Sequence, residues 1–219
     1  MASKTYGVGV IGLGYWGKNY LRLVSQLSSS GSSVRLVAMA DIFQESLDFQ
    51  KTIYPGVKAY SSEDDLLADQ DVDVVVIVTQ AATHFQVASK ALQSGKHVLV
   101  EKPLTINSRE ASTLVALANS LGLILFTGHT FLYNTGIQTM KKFLNDEKFG
   151  DLYSLNFTRT NLGPFRTDVD CLWDLAPHDV AILLYLMDGS LPVRTCSSCL
   201  YSNLNLDFRL FLHDKRKVF

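Results

Sequence analysis

The sequence has little that would tie it to a membrane, a nucleic acid or an oxidising compartment. Its longest apolar runs, VVVIV at 74–78 and VAILLYLM at 180–187, fall far below the roughly 18 residues a bilayer-spanning helix needs, so no transmembrane helix is expected. The opening MASKTYGVGVI enters a strand-like run directly, without the apolar stretch and small-residue cleavage site of a secretory signal, so export is not expected. Charge of one sign is not in excess: 20 basic and 21 acidic residues give a formal charge of −1, and no field would concentrate nucleic acid or an anionic membrane. The LysArgLys cluster at 215–217 is short and reads as a solvated face. Three cysteines cannot all pair, and the lone CxxC of Cys196 and Cys199 lacks the second pair that a metal site wants. Reduced thiols, no metal and a reducing, cytoplasmic setting are the expectation. Internal repeats and low-complexity tracts are absent too; SSSGSS at 28–33 is short enough to be a flexible loop.

What is present is apolar residue in ordered runs. With 219 residues, 47% of them hydrophobic, the chain can bury one large core or two modest ones. Strand-like segments at 6–11, 34–40, 57–60, 72–78, 97–100 and 123–126 alternate with helical patterns, the order of a parallel sheet covered by helices on both faces. Most of the runs are continuously apolar, as expected when neither sheet face is wet. Ser61 and Ser62 before an acidic stretch, and Asn107 with Glu110 three residues on, signal helix starts; Gly95 and Gly122 signal stops. Near Phe126 the pattern changes to a helix around 136–147, a strand around 151–160, a loop, an apolar helix and two more strands. Leu204, Leu206, Phe208, Leu210 and Leu212 alternate with mostly polar residues, predicting an antiparallel sheet with one covered face.

The first chemical signal is GlyLeuGlyTyrTrpGly at 12–17, which follows a strand and opens a helix, as GxGxxG does in a dinucleotide-binding βαβ unit. Gly12 permits the tight turn, Gly14 lets the backbone approach a pyrophosphate, and Gly17 lets helix pack closely on strand. Asp41, at the end of the second strand, is placed to accept hydrogen bonds from a ribose. No cation follows it, and its own charge would repel a 2′-phosphate, which favours NAD over NADP. The expected fold is α/β: a doubly wound Rossmann domain over residues 1–126, then an α+β domain built on a mainly antiparallel sheet over 127–219.

The second signal is HVLVEKPL at 97–104, a buried strand ending in an acid, a base and a proline. Pro103 keeps Lys102 out of the helical region and so holds it extended at the carboxyl end of a parallel strand, the edge where open α/β sheets bind ligands. Desolvation and a nearby nicotinamide cation would both disfavour the charged amine. A surface lysine paired with Glu101 is the plainer alternative.

GLGYWG at 12, THFQVASKALQSGKHVLVEKP at 83–103, TGH at 127 and WDLAPHD at 173 together resemble the Gfo/Idh/MocA oxidoreductases, which act on sugars, cyclitols and nucleotide sugars with NAD(P). The resemblance implies a catalytic cluster of Lys102, Asp174 and His178. It also implies cofactor contacts from Gly12, Gly14, Tyr15, Trp16, Gly17, Asp41, Thr79, His84 and Glu101, and substrate contacts from Arg159, Arg166 and Asp170. ThrArg at 158, LeuGlyProPheArg at 162 and the WDLAPHD stretch point to the nucleotide-sugar 3-dehydrogenase-like members. A homo-oligomer formed through the second-domain sheet is implied where that sheet is complete. Two departures stand out: Gln80 replaces the proline of many relatives, and the chain stops at Phe219 where the family usually continues, which suggests a C-terminally truncated member. A non-catalytic NAD-binding regulator or inactive relative is therefore the alternative to a dehydrogenase.

Oxidation of an alcohol sends a hydride to the nicotinamide while the hydroxyl loses a proton, so a base must reach that oxygen. If a helix starts at or just before Asp174, then Asp174 and His178 lie one turn apart on one face. His178 as acid/base, Lys102 polarising the oxygen and Asp174 orienting the substrate is the favoured assignment, with the two bases exchangeable. The bland reading makes Asp174 a helix N-cap, Pro177 a first-turn proline and His178 a satisfied core histidine.

Overall fold

A computed structural model describes residues 4–146, 154–159, 171–189, 194–199 and 206–211 of the chain. They fall into two compact units, Met1–Gly128 and His129–Phe219, the break lying just past the boundary read from the sequence.

The first unit alternates strands and helices: β1 (Tyr6–Ile11), α1 (Gly17–Ser29), β2 (Val34–Ala40), α2 (Gln44–Ile53), β3 (Lys58–Tyr60), α3 (Glu63–Ala68), β4 (Val74–Ile77), α4 (His84–Gln93), β5 (His97–Val100), α5 (Ser108–Leu121) and β6 (Leu125–Thr127). The strands form one sheet in the order β3-β2-β1-β4-β5-β6, and every pairing is parallel. This is the doubly wound arrangement, with its change of direction between β1 and β4.

Burial on both sheet faces explains why these strands read as unbroken apolar runs. Val8, Val10, Met39 and Val76 pack with Leu21 and Val24 of α1 and Leu47 of α2. Their strand neighbours Ile11, Ala38, Val75 and Ile77 pack on the other face with Leu66 of α3, Val87 and Leu92 of α4, and Leu114 of α5. A residue pointing either way enters a core, so alternation has no selective advantage.

Local signals fix several ends. Ser62 caps α3 by accepting the Asp64 N–H, and Asn107 caps α5 by accepting the Arg109 N–H. Gly122 ends α5 in the left-handed region at φ 65°, where a side chain would be strained. The serine-rich stretch at 28–33 departs from the expected loop: α1 runs through Ser29. The Ser28 and Ser29 hydroxyls bond back to the Val24 and Ser25 carbonyls at 2.9 and 3.0 Å, as serines in a final helical turn can.

The second unit contains α6 (Thr135–Leu144), β7 (Ser154–Arg159), α7 (Cys171–Leu186), β8 (Arg194–Cys199) and β9 (Leu206–Phe211). Its strands make an antiparallel sheet in the order β7-β9-β8. The expected strand ends at Leu204 and Leu212 lie outside the described residues. α7 begins at Cys171, earlier than an N-cap at Asp174 would require, and carries Pro177 inside it. The capping interpretation of Asp174 is therefore corrected. A proline in the interior costs a helix one hydrogen bond, while Ala176, Ile182, Leu183 and Leu186 are all buried, so packing sustains α7 through the break.

Candidate active site

Four strands of the first unit end level with one another. Ile11 pairs with Ala40 and with Ile77, and Ile77 pairs with Val100. The ladder continues one residue further through Gly12 N–H to Ala40 O at 2.9 Å, Val78 N–H to Ile11 O at 2.8 Å and Glu101 N–H to Ile77 O at 2.9 Å. The residues that follow are Gly12, Asp41, Thr79 and Glu101–Lys102, so one carboxyl edge collects the motif glycines, the acid of β2 and the lysine of β5.

The three motif glycines are needed for different reasons. Gly12 has φ 92°, and a Cβ there would lie 2.7 Å from the Val78 carbonyl carbon. A Cβ on Gly17 would overlap the Gly12 carbonyl oxygen. Gly14 has no atom within 4 Å of an added Cβ, so packing within the protein does not explain it. An open backbone face at the start of α1 is what a pyrophosphate approaching the main chain requires. α1 itself starts with no side-chain cap bond and no acid in its first turn, leaving its positive end to an anion. The residues present thus fit a dinucleotide. Tyr15 and Trp16 between the glycines are exposed and meet edge to face, centroids 5.9 Å apart.

Asp41 Oδ2 accepts the Leu13 N–H at 2.6 Å, and Oδ1 accepts the Phe43 N–H at 2.8 Å. The carboxylate is thus fixed against the glycine loop, with acceptor lone pairs left over for ribose hydroxyls. Thr79 Oγ1 accepts from the Thr83 hydroxyl at 2.8 Å. Glu101 is held by two donors: the Tyr20 hydroxyl reaches Oε1 at 2.6 Å and the Lys102 N–H reaches Oε2 at 3.0 Å. Burial first, then the hydrogen bond to Glu101 and its charge, push the Tyr20 phenol well above the usual tyrosine range, so Tyr20 remains the donor. The Lys102–Pro103 peptide bond is cis.

His84 opens α4 but is 1% exposed. Its Nδ1 lies 2.7 Å from the Pro103 carbonyl and its Nε2 3.2 Å from the Thr79 carbonyl. The ring thus lies enclosed between the loops that follow β4 and β5.

In the second unit, Asp174 and His178 sit four residues apart within α7, one turn along one face. The His178 ring meets Phe131 edge to face, with centroids 4.7 Å apart and planes at 67°. Asp179, beside it, is buried. Arg159 ends β7; Arg166 and Asp170 lie outside the described residues. Sequence reasoning missed Tyr20 and Phe131, because no local pattern announces a partner that distant in the chain.

Comparison with known proteins agrees with this geometry. The model of the Gfo/Idh/MocA family, described as an oxidoreductase family with an NAD-binding Rossmann fold, matches residues 6–129. The chain belongs to that family. UDP-N-acetylglucosamine 3-dehydrogenase of Acidithiobacillus ferrooxidans is 34% identical over 84% of this chain and 55% of its own length. Inositol 2-dehydrogenase of Gluconacetobacter diazotrophicus is 28% identical over the same 84% and 55%. Among solved structures, GenD2 from gentamicin A biosynthesis, in complex with NAD, superposes with a TM-score of 0.78 at 26% identity, covering 94% of this chain and 61% of that one. The chain spans about half the length of the curated relatives it matches.

Proposed function

We propose that the chain carries the NAD site and reacting lysine of a dehydrogenase that moves a hydride between the nicotinamide and a hydroxyl-bearing carbon of a sugar, cyclitol or nucleotide sugar. The observation that carries this reading is the shared carboxyl edge, where the open face of Gly14, the fixed carboxylate of Asp41 and Lys102 at the tip of β5 lie together.

In this reading the backbone of Gly12–Gly17 and the start of α1 hold the pyrophosphate, and Asp41 holds the adenosine ribose. NAD is favoured over NADP because Asp41 is followed by Ile42, Phe43 and Gln44, none of them a cation for a 2′-phosphate. Bound NAD supplies the hydride acceptor. Lys102 polarises the reacting oxygen, His178 takes or returns the hydroxyl proton, and Asp174 orients an adjacent hydroxyl. Phe131 against the imidazole limits the ring's rotation, which favours a defined direction for the proton. Arg159, Arg166 and Asp170 are assigned to polar groups of the substrate. The nucleotide-sugar branch is preferred on the likeness to UDP-N-acetylglucosamine 3-dehydrogenase. A homo-oligomer through the antiparallel sheet and a cytoplasmic setting belong to the same proposal. No helix among the described residues is long and apolar enough to cross a membrane.

The test is reduction of NAD, followed by absorbance, with a panel of UDP-sugars and inositols. Lys102→Ala is expected to lower kcat by about a thousandfold or more while leaving the NAD dissociation constant within about threefold. A wild-type chain that binds NAD but turns over none of the panel would favour the non-catalytic alternative.

A further inference from the structure

Lys102 is gripped from both sides by residues that have no part in holding a dinucleotide in the scheme above. We infer that Tyr20 and His84 are positioning residues for Lys102: Tyr20 acts through Glu101 on the lysine's own N–H, and His84 acts on the carbonyl of Pro103. The inference rests on the reading of Lys102 as the group that meets substrate.

The Tyr20 arm is a relay of two bonds. The phenol of α1 donates to Glu101 Oε1 at 2.6 Å, and Oε2 of the same carboxylate accepts the Lys102 N–H at 3.0 Å. One carboxylate thus ties the helix that starts the dinucleotide motif to the main chain of the lysine. The neighbouring strand end leaves this pair just enough room. A Cβ on Gly128 would lie 3.0 Å from Glu101 Oε1 and 3.2 Å from the Tyr20 oxygen, tighter than ordinary contact, so glycine in the TGH stretch acquires a reason.

The His84 arm is a single ring between two loops. Its nitrogens face the carbonyls of Pro103 and Thr79, and a carbonyl is satisfied only by a donor. The shorter contact assigns the Nδ1 hydrogen to Pro103. The imidazole therefore holds the loop after β5 through that bond and lies against the loop after β4 from a buried position. Lys102 sits between Glu101 and Pro103, so neither main-chain neighbour can shift without breaking a bond to a residue distant in sequence. Reacting groups held to within a fraction of an ångström are what efficient proton and hydride chemistry demands, and a displacement of about 1 Å costs up to about a hundredfold.

The experiment compares the full chain with Tyr20→Phe, His84→Leu and His84→Asn, and its first readout needs no substrate. Acylation of Lys102 by trace acetic anhydride is followed against pH by peptide mass spectrometry, alongside Tm, the NAD dissociation constant and, where turnover is found, kcat and KM. Tyr20→Phe and His84→Leu are expected to move the midpoint of the Lys102 profile by about half a pH unit or more. They should lower kcat about tenfold, with NAD affinity held within about threefold. His84→Asn, whose amide N–H can still reach Pro103, should restore most of both. An unchanged Lys102 profile in well-folded Tyr20→Phe and His84→Leu overturns the inference. So does a kcat loss that tracks Tm and that His84→Asn fails to rescue. A shifted profile in the variants beside a wild-type chain without turnover upholds the positioning and removes the catalytic reading of Lys102.

Discussion

The two edges of the parallel sheet are built on opposite principles. At the amino edge, where strands begin, polar side chains bind loops to one another. Lys96, 6% exposed, donates to the Asp69 and Val72 carbonyls at 2.9 and 2.8 Å. Asp73 accepts the Gly7 N–H at 2.8 Å and pairs with Lys4 at 3.1 Å, and Lys58 spans Asp69 and Asp71. At the carboxyl edge, Tyr15, Trp16, Ile42 and Phe43 are exposed, α1 starts uncapped and Gly14 faces open space. One edge uses its polar groups to close the fold, whereas the other, beside the tethers made by Asp41, Glu101 and His84, withholds apolar surface and backbone donors from it. The lesson is that substitutions at the amino edge should register as stability, and those at the carboxyl edge as binding and rate.

The largest stability loss should come from Lys96→Met, which keeps the stem but strips one buried and one partly buried carbonyl of their donor. About 3 kcal/mol is expected in denaturant unfolding, with NAD binding by the folded fraction unchanged; a neutral result would break the contrast from the amino side. Gly17→Ala should follow at about 2 kcal/mol, because α1 or the Gly12 turn must move to admit the methyl group. It sharpens the contrast, since it alone should damage both stability and NAD affinity. Asp73→Asn should cost about 1 kcal/mol near neutrality. The Gly7 N–H holds the Asp73 carboxyl below its usual range, opposed by partial burial and aided by Lys4. Its folded value is depressed, so its contribution is full above the unfolded value near 4 and disappears as pH falls through the lower folded value. Unfolding curves recorded from about pH 6 to 2 should therefore converge for Asp73→Asn and wild type at the acid end. A gap that stays constant would count against the hydrogen bond as its source.

How much of this was legible depended on the range of the interaction. Strand positions could be read because both faces of the sheet are buried, which leaves continuous apolar runs in the sequence. The starts of α3 and α5 could be read because Ser62 and Asn107 act within two residues. The start of α7 was legible only to within a turn: Asp174 and Pro177 also imitate an N-terminus, and the helix carries its internal proline among buried Ala176, Ile182, Leu183 and Leu186. At the carboxyl edge, Gly12–Gly17, Asp41 and Lys102 were visible as motifs. What holds Lys102 was not, because Tyr20 lies 81 positions from Glu101 and His84 lies 19 positions from Pro103, separations at which residue type carries no local signal. A similar remoteness in sequence hid the packing of Phe131 against His178.

Gly14→Ala tests the account most directly, because the added methyl group meets no atom among the described residues and would intrude on a ligand lying against the backbone. Calorimetric titration with NAD, beside thermal unfolding without it, should show Tm within about 2 °C of wild type and affinity weakened about tenfold or more. Wild-type affinity in a folded Gly14→Ala chain would mean that no dinucleotide lies along that edge, and the assignment of Asp41 and Lys102 would go with it.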